Sequence, residues 1–190
     1  GLNRCGFDQE LSAQVGRLVD VGLPTMMFSF VMRLLSEAKS GNVEQSEAVI
    51  TLKHIESFIV RRGAFGLEPS GLHAAFKGMW SEIQNVQDAA REKGEGVAPI
   101  HKLFVSSIAR RTTVKWPTTE EFENSLRIRS LYGSKVTRYI LSEYNRSLPG
   151  DHSGVDGVEI EHILPQTISE NWTNSFTIAE HDLLLNRLGN

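Results

Sequence analysis

Apolar residues recur at helical spacing through most of the first 148 residues, and that periodicity limits the chain to a mainly α-helical fold. Met27, Phe30, Val31, Leu34 and Leu35 make one stripe after Pro24, a residue suited to a helix start, and Gly41 marks its stop. Ala48, Leu52, Ile55, Phe58 and Ile59 make the next, which runs into Arg61-Arg62 and stops near Gly63 or Gly66. A third helix is expected from 69 to about 87, with Leu72, Ala75, Phe76, Met79 and Ile83 on one side. The polar, glycine-bearing stretch 91–96 reads as a loop, and 99–110 as a shorter helix that buries Leu103, Phe104 and Ile108. Thr118 and Glu121 have the spacing of a capping box, and Val136, Tyr139, Ile140 and Tyr144 mark the last helix of this region. No segment of about 20–50 residues repeats, which excludes a solenoid.

With 190 residues, 40% of them hydrophobic and 23% charged, the chain can bury a core without a disulfide or metal staple. The longest apolar run, 26–31, is interrupted by Ser29 and followed by Arg33, so no membrane partner is expected. The single cysteine, Cys5, excludes an internal disulfide and points to a reducing, cytoplasmic setting. Cys5 has no basic or histidine neighbour that would make it a nucleophile. The sequence begins at Gly1 without a methionine or signal peptide, which predicts a piece of a longer protein.

The texture changes at Leu148. Residues 149–157, rich in glycine and acids, read as a linker, dividing a helical domain (1–148) from a small second domain (158–190). Residues 158–163 then alternate apolar and polar, the pattern of a short strand with one buried face. Thr177 and Glu180 form a second capping box, opening a helix expected to reach about Arg187, with Gly189 as its stop. Charge divides with texture. Residues 1–150 carry 19 Lys and Arg against 16 acids, whereas 151–190 carry Arg187 alone against seven acids. Such an acidic stretch is either a solvated tail or a cation site.

Within it, Glu161-His162 is the pair with chemical potential. A carboxylate suits a hard divalent cation, and a neutral imidazole is the side chain that takes a proton from water near neutral pH. Together they suit metal-assisted hydrolysis of a phosphodiester. The same dipeptide occurs at Glu180-His181, where capping explains the glutamate and a surface position the histidine. His54, His73, His101 and His152 show no ligand spacing.

The context 160–166, Ile-Glu-His-Ile-Leu-Pro-Gln, followed by Trp172 and by His181 through Asn186-Arg187-Leu188-Gly189-Asn190, resembles the C-terminal nuclease domain of GmrSD-type modification-dependent restriction enzymes. It also resembles SspE-like phosphorothioate-sensing antiphage proteins. Upstream, 55–62 with Gly66, Leu131-Tyr132 and 139–141 are similar to the family's helical segments, so the resemblance spans roughly 50–190.

The resemblance implies a mainly α protein in which a helical bundle precedes an incomplete ββα-metal (His-Asn-His) endonuclease fold. It implies His162 as general base, Glu161 as a ligand of Mg²⁺ or Mn²⁺, and Asn190 as the asparagine that fixes the loop and orients the base. DNA, modified or plain, is the implied substrate, cut to a 5′-phosphate and a 3′-hydroxyl in defence against phage. The family pattern continues past Gly-Asn into a strand and a helix that supply another ligand and a lysine. The site here is therefore expected to be incomplete and its metal affinity weak. The family's N-terminal nucleotidase half, with its Asp-Gly-Gln-Gln-Arg signature, is an expected partner that is not in this sequence, so no nucleotide hydrolysis is expected. Homo-oligomerisation is compatible with the sequence.

Each assignment has a plainer counterpart. His162 could be a hydrogen-bonded structural histidine, Glu161 an orienting residue, and Trp172 a core plug rather than a DNA contact. Arg61, Arg62, Arg110 and Arg111 could grip phosphates or serve as cations at helix C-termini. The rival to a nuclease is a helical module that senses DNA or docks a partner and carries an inactive nuclease remnant; a purely structural scaffold is the third reading.

Overall fold

Ten α-helices order the described residues, 6–150 and 159–190, of the computed structural model, and the chain is mainly α-helical. Cys5 and residues 151–158, which hold His152, Val158 and most of the expected linker, lie outside the described residues. None of the described helices is long and apolar enough to cross a membrane. The chain divides into two compact units, 1–62 with 67–116 and 63–66 with 117–190. The structural boundary thus falls at Trp116-Pro117, upstream of the change in texture at Leu148.

The first unit contains α1 (Gln9–Val21), α2 (Phe28–Lys39), most of α3 (Gln45–Phe65), α4 (Leu72–Lys77), α5 (Met79–Glu92) and α6 (Ile100–Ala109). Helix α1 was not among the expected elements. It is started by Asp8, whose carboxylate accepts from the Leu11 N–H at 2.7 Å, and stopped by Gly22 at φ 79°. The single helix expected over 69–87 is two, because the chain turns at Gly78, and α5 takes the first two residues of the expected 91–96 loop.

Phe30, Phe58, Phe76 and Phe104 are fully buried and meet edge to face or tilted, with centroids 5.7–6.3 Å apart. Trp116 packs against Phe58 and Phe104 at 5.3 and 5.9 Å. Each such ring contributes about 1.5–3 kcal/mol of burial, and this cluster is what the apolar stripes of α2 to α6 converge on. Half-buried Glu56 of α3 accepts from Arg17 Nε and Nη2 at 3.1 and 2.8 Å and from Gln14 Nε2 at 2.5 Å. This network ties α1 to α3.

The second unit contains α7 (Thr119–Ile128), α8 (Thr137–Ser147), α9 (Glu170–Thr173) and α10 (Ile178–Leu184), with residues 63–66 from the end of α3. Both expected capping boxes form, Thr118 with Glu121 and Thr177 with Glu180. Leu131, Val136, Tyr139 and Leu164 are buried. Gly63 has no side chain because a Cβ there would lie 2.5 Å from Val136 Cγ1. Helix α10 ends at Leu184, short of Arg187, because Asn186 and Arg187 turn to pair with the chain after α7.

The strand expected over 158–163 does not form in the described part of that range, 159–163, which is irregular. The reason is the lack of a partner. Among the described residues the β-pairing is a single antiparallel bridge, Ser130 to Arg187, reinforced by Leu131 N–H on Asn186 O at 2.8 Å. An alternating pattern supplies a face to bury but no ladder to hold it.

Candidate functional site

The segment after α7 and the segment after α10 are stitched together by that bridge, and 159–163 runs beside them. The three segments and α8 enclose a half-open cavity of about 330 Å³. Its walls include Tyr132, Arg138, Glu159, Glu161, His162 and Arg187. The motif residues therefore share one hollow in the second unit.

His162 is half-buried, its ring 4.3 Å from that of Tyr132 at 57°. Its Nε2 is buried and has no hydrogen-bond partner among the described residues. Glu161 and Glu159 are exposed at the cavity edge. Asn190 does not face a ligand with its amide. The side-chain oxygen accepts from the Leu164 N–H, and Nδ2 donates to Leu164 O at 3.3 Å and Leu185 O at 2.6 Å. These bonds clamp the main chain two residues after His162 to the end of α10.

His181 departs from its expected surface position. It is 3% exposed, and its Nε2 donates to Pro165 O at 2.8 Å. Its site on the inner face of a short helix, beneath the turn that Pro165 forces, explains the burial. Trp172 is half-buried, with Phe176 6.0 Å away.

The four arginines named as phosphate contacts all lie in the first unit and have partners there. Arg61 Nε donates to Ser57 Oγ at 3.2 Å. Arg62 is 6% exposed, donates to Lys115 O and Glu68 O at 2.7 and 2.6 Å, and lies 5.3 Å from the centre of the Phe58 ring. Burial pushes its pKa down. Arg110 and Arg111 each reach Glu82 at 2.6 Å. Burial alone raises the Glu82 pKa, but the hydrogen bonds from Arg111, Arg110 and Ser107 outweigh it and hold the carboxyl below its ordinary value.

A resident divalent ion needs several converging donors. Among the described residues no three His, Cys, Asp or Glu side chains come together in that way. The asparagine amide is taken up by main chain. The described residues alone do not make up a complete site for a resident metal ion.

Tyr132, Arg138, Glu159 and Arg187 were not singled out as site residues from sequence. The signals were there for two of them: Leu131-Tyr132 matched a family segment, and Arg187 is the lone cation of 151–190.

No curated protein and no solved structure gives a significant match to the chain. A family model described as GmrSD restriction endonucleases, C-terminal domain, matches residues 116–190. Its first matched residue, Trp116, adjoins the start of the second unit at Pro117. Over residues 116–190, which hold the whole of this cavity, the chain is similar to the C-terminal domain of GmrSD restriction endonucleases.

Proposed function

We propose that the second unit is a nuclease centre that hydrolyses a DNA phosphodiester, with His162 as general base and Asn190 as the residue that holds the base in place. The observation that carries this reading is the position of His162, in the matched region, on the wall of a cavity and with a buried ring nitrogen that lacks a partner among the described residues. Buried nitrogens are rarely left so, and a water molecule in the cavity is the natural partner. Its proton passes to the imidazole as its oxygen attacks phosphorus. The P–O3′ bond breaks, and the products are a 5′-phosphate and a 3′-hydroxyl. Tyr132 packs against one side of the imidazole and limits its rotation. Glu161, exposed beside it, is the residue that would help to hold the divalent ion that the resemblance implies. The setting we assign is restriction of foreign DNA in the cytoplasm.

The test is nicking of supercoiled DNA by the complete protein with Mg²⁺ or Mn²⁺. His162→Ala is expected to abolish nicking while circular dichroism is unchanged. Cleavage by that variant at the wild-type rate overturns the assignment.

One observation favours a second reading, a DNA-sensing or docking module with an inactive remnant: among the described residues the donors for a metal ion do not converge. A wild-type protein that shifts duplex DNA in a gel but never cuts it would establish that reading instead.

A further inference from the structure

We propose that Arg187 grips the phosphate of the DNA backbone at this site, an inference that rests on the nuclease reading above. A nuclease centre needs a cation near the scissile phosphate, both to draw the polyanion in and to balance charge as the bond breaks. The arginines that the sequence offered for this task are committed to Glu82, Ser57 and main-chain carbonyls of the first unit. Arg187 differs in three respects.

It lines the same cavity as His162. Its Nε is buried and has no hydrogen-bond partner among the described residues. Its main chain is held at several points: by the bridge to Ser130, by its own N–H on Leu184 O at 3.0 Å, and by its carbonyl, which accepts from the Asn190 N–H at 3.2 Å. A guanidinium donor buried without an acceptor is costly, and one on a fixed backbone keeps its direction. A phosphate oxygen in the cavity relieves that cost, since guanidinium and phosphate match in charge and in hydrogen-bonding geometry.

The placement also couples the cation to the base. Asn186 O, one residue before Arg187, accepts from the N–H of both Leu131 and Tyr132, at 2.8 and 3.3 Å, and the Tyr132 ring rests on His162. Arg138 lines the cavity too but already has a partner. The acidic surroundings of residues 151–190 sharpen the assignment, because without Arg187 that stretch would present only negative charge to a polyanion.

The experiment measures binding of a fluorescent DNA duplex to the complete protein without divalent metal, over a range of salt, together with nicking kinetics. Arg187→Gln is expected to weaken binding about 10- to 100-fold for every duplex sequence and to reduce the salt slope by about one counterion. His162→Ala should leave binding and slope unchanged and remove only cleavage. Arg187→Lys keeps the charge but loses the Nε donor, so its salt slope should stay near wild type while kcat/KM falls. Wild-type binding, slope and kcat/KM in Arg187→Gln would overturn the proposal. If that variant does not fold, Arg187→Lys decides, and wild-type kcat/KM in it overturns the proposal equally. A wild-type protein that neither binds nor cuts DNA defeats the nuclease reading and this inference together; a cutting enzyme indifferent to Arg187 defeats this inference alone.

Discussion

Asn190 shows how one side chain can tie two main-chain segments together. Its amide satisfies the Leu164 N–H and the carbonyls of Leu164 and Leu185. Asn190→Ala leaves three main-chain groups unmatched in a half-buried place, at a cost of about 1–3 kcal/mol, and lowers kcat more than it raises KM. Thermal denaturation and steady-state nicking of the complete protein check both parts. Asn190→Asp keeps the acceptor for Leu164 N–H but loses both donors, so it should fall between wild type and alanine. The Glu161-His162 pair was legible in sequence because the motif around it is dense. The burial of His181 was not, because a histidine after a capping glutamate looks the same whether its helix face is wet or covered. Arg187 stood out in sequence as the lone cation among acids, but only the chain pairing at Ser130 puts it on the wall of the cavity that His162 lines.

Helices were read well where an apolar stripe followed a proline, as in α2 and α6, and where a capping box opened them, as in α7 and α10. Helix α1 was missed although Asp8 and Gly22 bracket it, because its apolar residues are spaced among polar ones such as Gln14 that turn out to be buried by the Glu56 network. The 158–163 strand was over-read because alternation reports a buried face, whereas pairing depends on a neighbour that local sequence does not contain. At this scale Glu82 links α5 to the end of α6 through Arg110 and Arg111. Its folded pKa is depressed below the ordinary 4.5, so its stabilisation is complete above that value and is lost as pH falls through the folded value. Glu82→Gln is therefore expected to lower the melting temperature at about pH 7 and to converge on wild type only as pH falls below the folded value. A melting series across that range measures it, and a constant difference at every pH would contradict the linkage. Thr177→Ala removes the acceptor for the Glu180 N–H in the second capping box, with an expected loss of about 1 kcal/mol that amide exchange should localise to α10.

At the scale of the whole molecule, the two compact units divide at Trp116-Pro117 and the family match begins at the same place. The matched region begins at Trp116, so α7 and α8 go with the Glu161-His162 segment although their helical periodicity is continuous with that of the first unit. Residues 63–66 belong to the second unit as well, although they continue a helix of the first. Gly63 tests that membership. A glycine inside a helix ordinarily gains about 0.5–1 kcal/mol on replacement by alanine. Here the new Cβ would meet Val136 Cγ1 at 2.5 Å and Cγ2 at 2.9 Å, and valine has little rotamer freedom to retreat. Overpacking of this kind costs about 1–3 kcal/mol, so the sign reverses and Gly63→Ala destabilises. The loss should appear as faster amide exchange in the segments around Val136, with the buried phenylalanines of the first unit still protected. Combining it with Val136→Ala removes the clash, so the double variant should be more stable than the sum of the two single losses predicts. Strict additivity, or a stabilising Gly63→Ala, would mean that the end of α3 does not pack on Val136.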